Sequence, residues 1–156
     1  MRLTVCAPPG WNYRDVVALS KADREQFLAE PRVAALSVGA GADRAPLTVP
    51  IWYQYSPGGS PWVLTGLGSR KHRLIEATGC FTLMVETSEP SLRYVAVSGT
   101  VAQIASATDA QHREMASRYV AADKVEAYLS YAESYGEQVA ITMRPQHWLS
   151  ADLGSL

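Results

Sequence analysis

The sequence predicts a small, mainly β protein, an antiparallel barrel with appended helices. Three observations support this fold class. About six short apolar segments follow the two-residue period of half-buried strands, Gly- and Pro-rich turns separate several of them, and only three segments follow the longer period of helices. A parallel, doubly wound sheet would instead alternate strands and helices along the whole chain.

Length and composition indicate one globular domain over residues 1–156. Of the 156 residues, 47% are hydrophobic and 19% are charged, so the chain can bury a sizeable core without disulfides. The 14 Lys and Arg against 15 Asp and Glu give a net charge of −1. This balance excludes the general basicity of a non-specific nucleic-acid binder.

The number of cysteines and the length of the apolar runs indicate where in the cell the protein is located. Cys6 and Cys80 are too few for a disulfide framework or a four-cysteine zinc site. No apolar run approaches the ~20 residues that cross a bilayer, and the run before Pro8 is too short for a secretory leader. We therefore expect a cytoplasmic protein that binds neither membranes nor nucleic acid.

The chain begins with an irregular, Pro-containing arm over residues 1–20. A capping-box pattern at Ser20 then begins a short helix, which Pro31 ends. Phe27 and Leu28 are the predicted core contacts of this helix. The element resembles an ordinary surface helix with one apolar side.

Two-residue alternation predicts the strands that follow. They cover residues 33–38, 47–55, 62–65, 80–86, 93–104 and 139–143. The second and third strands are joined by a hairpin-type turn, so we expect them to be antiparallel neighbours. Gly99 marks a bulge or a close backbone approach in the longest strand, and His147, Trp148 and Leu149 after Pro145 are expected to form an exposed tail.

Two further helical segments are predicted. Residues 70–77 follow Ser69, and residues 108–132 form a helical insertion that a capping box at Thr108 opens. Apolar residues in the insertion recur at helical spacing in two stripes. One stripe contains Met115, Ala116, Tyr119 and Val120, and the other contains Val125, Tyr128, Leu129 and Ala132.

A basic triplet, Arg70, Lys71 and Arg73, is the most informative polar feature. With Ser69 as N-cap, these cations occupy the first turn of a helix, where the macrodipole is positive and each costs up to about 1 kcal/mol. A bound phosphate reverses that sign, because free N–H groups, the cations and the hydroxyls of Thr65 and Ser69 all attract it. The alternative is that the cations only extend into solvent.

A proline interrupts the second predicted strand. Pro50 removes one ladder donor, so this strand is an edge strand or lies beside a non-protein partner. A flat ring against the exposed backbone would use its unpaired groups, with Trp52 as one wall. The alternative is an ordinary edge strand whose aromatic residue faces the core.

Other chemistry-bearing residues give weaker signals. His72, His112 and His147 lack metal-binding spacing. Cys80 begins an apolar strand and is interpreted as a small buried hydrophobe, and there is no Gly-x-Ser-x-Gly nucleophile elbow. An enzyme built from these residues would rely on a cofactor for its reaction.

Three segments together resemble a known family over roughly residues 25–104. The sequence Thr-Gly-Leu-Gly-Ser-Arg-Lys at 65–71 is similar to the flavin-phosphate segment of the pyridoxamine 5'-phosphate oxidases. The Arg-x-Val-x-Val-x-Gly-x-Val pattern at 93–101 resembles their long strand. Pro-Ile-Trp-Tyr at 50–53 resembles the ring-contacting strand of the wider split-barrel flavin and deazaflavin reductases.

The resemblance implies a six-stranded antiparallel split β-barrel that binds FMN, forms a homodimer with the cofactor at the subunit interface, and transfers hydride to or from a small molecule. It implies that Thr65, Ser69, Arg70 and Lys71 bind the phosphate and that the backbone of Val49, Pro50, Ile51 and Trp52 meets the ring. The chain lacks the family's cations beside the ring strand and its C-terminal Arg-x-His, so pyridoxamine phosphate is not the expected substrate.

Two alternatives stay open. The first replaces FMN with the deazaflavin coenzyme F-420, whose anionic tail needs further cations, for which Arg44, Arg73 and Arg93 are candidates. The second is a non-enzymatic flavin- or haem-binding protein on the same fold, since no acid–base residue is assigned.

Overall fold

The computed structural model describes residues 17–154 of the protein. The predicted arm therefore lies mostly outside the described residues. Within them the chain forms seven strands and four α-helices. In chain order these are α1 (Lys21–Ala29), β1 (Ala34–Val38), β2 (Leu47–Ile51), β3 (Tyr53–Gln54), β4 (Trp62–Gly66), α2 (Arg70–Thr78), β5 (Cys80–Thr87), β6 (Arg93–Ser106), α3 (Asp109–Tyr119), α4 (Val125–Ala132) and β7 (Gln138–Asp152).

The strands form one antiparallel sheet in the order β2-β1-β5-β6-β7-β4-β3. This confirms a mainly β antiparallel fold with helices, but the sheet has seven strands in an open order where a six-stranded split barrel is predicted. The count differs because Trp52 divides the predicted strand 47–55 into β2 and β3. These two segments are the ends of the sheet, so chain continuity brings its two ends together at Trp52.

One hydrophobic cluster forms the core of the sheet. Every second residue of β1 is buried, as period-two alternation predicts. Phe27 and Leu28 of α1 belong to this cluster, as predicted, and α2 contributes Ile75. Burial of each such side chain contributes about 1.5–3 kcal/mol, so the same core that stabilises the sheet also fixes both helices on it.

The last strand is much longer than predicted. β7 passes through Pro145 and pairs with β6 as far as Asp152, so the segment is a paired strand rather than a tail, although His147 and Leu149 are exposed as expected. Pro145 is tolerated because it lies opposite Gly99, next to a register irregularity between Ser98 and Gly99 where the regular ladder is already interrupted. The long β6 strand offers a partner over the whole length of β7.

The helical insertion is two helices rather than one. α3 ends where Val120 takes an extended conformation (φ −111°, ψ 141°), and a short 3-10 turn precedes α4. The predicted capping box at Thr108 is present, with Gln111 as its second member. Met115 and Val125 are buried between the helices and the rest of the fold.

Gly99 is predicted to be intolerant of any side chain. A Cβ atom there would lie 1.9 Å from the Arg144 carbonyl oxygen, so Gly99→Ala should lower the free energy of unfolding by about 3 kcal/mol. Gly39→Ala is the control, because its Cβ would meet only Thr78 Cγ2 at an ordinary 3.6 Å and should change stability by less than about 0.5 kcal/mol. Urea unfolding measures both; equal midpoints for the two variants would contradict the close approach.

Candidate functional site

The interruption at Trp52 opens a split in the sheet. β3 pairs with β4 through Tyr53 opposite Val63, and the same register continued would place Ile51 opposite Thr65. No such pairing forms between these strands: Ile51 pairs with Ala34 of β1, and Thr65 pairs with Val139 of β7 on the other edge of β4. We call the gap between residues 49–52 and residues 64–66 the split. It brings the two predicted sets of cofactor-binding residues to opposite sides of one feature.

A cavity of about 220 Å³ lies at the split. It is lined by Pro50, Ile51, Trp52, Leu64, His112, Met115, Tyr128, Ala132 and Gln138. Three of the four predicted ring-contacting residues are among these; Val49 instead packs against the core. The predicted edge position of Pro50 is confirmed, since β2 is an end strand of the sheet.

The loop between β4 and α2 is held by a chain of side-chain hydrogen bonds. Ser69 is the N-cap of α2 and its Oγ accepts from His72 N–H (3.3 Å) and lies 3.1 Å from Thr65 Oγ1. Gly68, with φ +69°, donates its N–H to Nδ1 of the buried His72 (3.0 Å). Two hydroxyl groups are therefore fixed beside the first turn of α2.

The basic triplet lies in that first turn, and none of its members is neutralised. Arg70 and Arg73 are exposed, Lys71 is half-buried, and the first turn of α2 contains no acidic residue. Within residues 17–154 none of the three forms an ion pair. The cations and the positive end of the helix therefore act together as an anion-attracting surface.

The helical insertion covers Trp52. The indole stacks on Tyr119 of α3 with ring centroids 4.8 Å apart and planes 9° from parallel, and Tyr128 of α4 approaches it at 5.4 Å. The Tyr119 hydroxyl accepts from Tyr53 N–H (3.1 Å) and donates to the Tyr53 carbonyl oxygen (2.7 Å). One face of Trp52 is thus already occupied, which limits it as the wall of a bound ring.

Arg118 ties the insertion to two other elements. Its guanidinium donates to Gln54 Oε1 (3.0 Å) and to the carbonyl oxygens of Leu28 (3.2 Å) and Glu30 (2.9 Å). It also lies over the ring of Tyr53, 4.9 Å from the centroid. The end of α3 is therefore fixed relative to both β3 and the end of α1.

A second, larger cavity of about 650 Å³ lies beneath the same helices. It shares His112, Ala132 and Gln138 with the split cavity, so the two spaces adjoin. Its remaining lining residues are mostly polar: Ser106, Ala107, Asp109, Arg113, Glu126, Leu129, Ser130, Glu133, Gly136 and Glu137. Arg113 forms an ion pair with Glu126, which leaves the cavity with an excess of carboxylates.

Arg93 does not join the basic triplet within the chain. It begins β6, and its guanidinium lies 5.5 Å from the centroid of the Phe27 ring. The start of α2 is near the opposite end of β6, where Leu67 N–H donates to the Glu137 carbonyl oxygen (2.9 Å) and β6 ends at Ser106. Arg93 and Arg70 therefore lie at opposite ends of β6 within one chain, and the role of Arg93 in holding the tail of F-420 stays a prediction.

Sequence reasoning missed several residues at the site. His112, Tyr119 and Tyr128 reach the split from the insertion, and no local pattern indicates contacts over such separations. No sequence pattern indicates the role of His72, whose imidazole accepts from Gly68 N–H and supports the loop before α2. Among residues 17–154, no three His, Cys, Asp or Glu side chains are grouped as a metal site, and no helix has the length and apolarity to cross a membrane.

Comparison with known proteins gives a likeness of fold. No family model and no curated protein matches the sequence. Among solved structures, a conserved hypothetical protein from Mycobacterium tuberculosis aligns with TM-score 0.67 and 20% identity over 89% of this chain and 88% of its own. An F-420 reductase gives 0.56 and 19% over 80% and 94%. An FAD-binding protein from Mesorhizobium loti gives 0.56 and 17% over 88% and 96%.

Removal of the Tyr119 hydroxyl should destabilise the fold. Tyr119→Phe leaves the backbone N–H and carbonyl of Tyr53 without their partner, which should lower the free energy of unfolding by about 1–3 kcal/mol. The matched control is Tyr128→Phe, whose hydroxyl forms no hydrogen bond among the described residues. Chemical denaturation compares the two variants. Equal losses of unfolding free energy would show that the Tyr119 hydroxyl does not stabilise the strand break, the interruption at Trp52 between β2 and β3.

Stability should fall at alkaline pH because of Tyr53. Burial, together with the neighbouring Tyr119, raises its pKa from 10.0 to about 12, and its hydroxyl donates to the Leu28 carbonyl oxygen (2.7 Å). The folded state therefore holds this proton while the unfolded state loses it, so stability declines as pH rises from 10 and the loss reaches about 2 kcal/mol near pH 12.

The alkaline loss can be assigned by substitution. Tyr53→Phe should lose about 2 kcal/mol less than the wild type between pH 10 and pH 12, while Tyr94→Phe, on β6, should follow the wild type. Thermal or urea unfolding at the two pH values measures this. A Tyr53→Phe curve parallel to that of the wild type would disprove the assignment.

Proposed function

We propose that the protein is a cytoplasmic, FMN-dependent oxidoreductase of the split-barrel class that transfers hydride to or from a small molecule. One observation carries this proposal. Three unpaired cations surround the first turn of α2, beside the fixed hydroxyls of Thr65 and Ser69 and at one side of the split. Charge-assisted hydrogen bonds from such a group are the usual means of holding a phosphate.

The residues present fit the two ends of FMN. Arg70 and Lys71, with Thr65 and Ser69, supply donors for the phosphate, and the free edge of β2 at Pro50 and Ile51 supplies backbone groups for the ring. Bound FMN would supply a two-electron redox centre. The protein's part is to fix the phosphate by charge and to exclude water from the ring, for which the cover of α3 and α4 is suited.

A second copy of the chain completes the proposed site. The split cavity, at about 220 Å³, is smaller than the roughly 300–1,000 Å³ of ligand pockets, so a flavin extends beyond it. The open edge of β2 and the exposed Leu67 beside the basic triplet lie next to the space it would enter. A homodimer that covers the split is therefore part of the proposal.

The competing cofactor is the deazaflavin coenzyme F-420. The names of two similar structures, an F-420 reductase and an FAD-binding protein, support a flavin-type cofactor in general. FMN is favoured because its single phosphate matches one basic triplet. A longer anionic tail that entered the adjoining cavity would meet the carboxylates of Asp109, Glu133 and Glu137.

The absorption spectrum of the purified protein separates these cofactors. Flavin bands support FMN, the shifted band of a deazaflavin supports F-420, and a Soret band supports haem. Oxidation of a reduced nicotinamide by the loaded protein separates an enzyme from a carrier. A colourless protein that binds none of the three overturns the proposal.

Loss of the basic residues should weaken FMN binding. Arg70→Ala combined with Lys71→Ala should raise the dissociation constant by about 30- to 1,000-fold, since hydrogen bonds to charged groups contribute about 1.5–3 kcal/mol each and solvent screens exposed ones. Lys21→Ala with Lys124→Ala is the control, because it removes the same charge from positions outside α2. Quenching of flavin fluorescence measures both. Wild-type affinity in the first variant would refute the phosphate assignment.

A further inference from the structure

His112 is placed where the two cavities meet. It lies on α3, is half-buried, and lines both the split cavity and the larger one. Of the residues that line the split cavity, only His112 and Tyr128 can exchange a proton. The imidazole of His112 forms no hydrogen bond or ion pair with residues 17–154, so it is available to a ligand.

The position of His112 is fixed from both ends of its helix. The capping box at Thr108 holds the start of α3, and Tyr119 and Arg118 bind its end to the strand break. An imidazole held in this way faces the same small space as Pro50 and Trp52. Such fixed placement is the requirement for a group that transfers a proton in a reaction.

We propose that His112 protonates the substrate and that the substrate reaches it through the larger cavity. This inference rests on the function proposed above. With bound FMN as the hydride source, a substrate carbon would gain a hydride with its two electrons, and the adjacent oxygen or nitrogen would take the proton of the His112 imidazolium. The substrate gains two electrons and two hydrogens. His112 is left neutral and regains a proton from water, and a reduced nicotinamide restores the two electrons to the cofactor.

Charged groups around His112 define the class of substrate. Asp109 and Arg113 on α3, Glu126 on α4, and Glu133 and Glu137 before β7 line the larger cavity. Arg113 and Glu126 neutralise one another, so three carboxylates are left without a counter-charge among the described residues. The cavity attracts cations and repels anions, so the substrate is a neutral or cationic carbonyl or unsaturated compound rather than a phosphate ester.

The test compares His112→Gln with Tyr128→Phe and with His147→Gln, an exposed histidine on β7 outside both cavities. FMN-loaded protein is reduced anaerobically and mixed with menadione, which takes up protons on reduction, or with ferricyanide, which takes one electron and no proton. His112→Gln should slow the menadione reaction by about 100-fold. Ferricyanide rates and FMN affinity should be unchanged.

Placement is tested separately by nuclear magnetic resonance. Addition of FMN should shift the imidazole signals of His112, assigned by their loss in His112→Gln, and leave those of His147 in place. Unshifted His112 signals, a menadione rate in His112→Gln equal to that of the wild type, or a larger loss in Tyr128→Phe would each overturn the role of His112 while FMN binding stands. Failure of the wild type to bind FMN overturns the proposed function and this inference together.

Discussion

The hydrogen bonds of the Tyr119 hydroxyl at the strand break are the constraint on which the site depends. A strand that leaves one neighbour to join another must leave backbone groups unpaired at the crossing, and buried unpaired groups cost about 1–3 kcal/mol each. At Tyr53 the hydroxyl of Tyr119 provides both a donor and an acceptor. The protein can therefore interrupt its sheet at Trp52 without leaving the buried N–H group of Tyr53 unsatisfied.

The contact between Tyr119 and Tyr53 also determines which residues cover the split. Because Tyr119 and Arg118 hold the end of α3 on the strand, the rest of the helix runs across the cavity and brings His112 to its wall. Trp52 then packs between the break and the insertion. The helical insertion is in this way part of the site, rather than a separate addition to the sheet.

What could be predicted from the sequence is local. The N-caps at Ser20, Ser69 and Thr108 follow from hydroxyl residues before helical patterns, and Gly99 follows from a glycine on the buried face of a strand. The division of a good strand pattern at Trp52 could not be predicted, because the group that hydrogen-bonds the backbone there is a tyrosine 66 positions after Tyr53. The continuation of β7 past Pro145 likewise depends on a partner strand, not on its own residues.

The topology places two regions of opposite charge next to one another at the site. The positive end of α2 and the excess carboxylates beneath α4 both adjoin the residues around Gln138, yet they carry opposite charge. An anion-bearing ligand gains free energy only with its phosphate at α2, and a neutral or cationic one is favoured under the insertion. Two ligands of different charge would therefore bind at adjoining positions, the anionic one at α2 and the neutral or cationic one under the insertion. They would meet at the split.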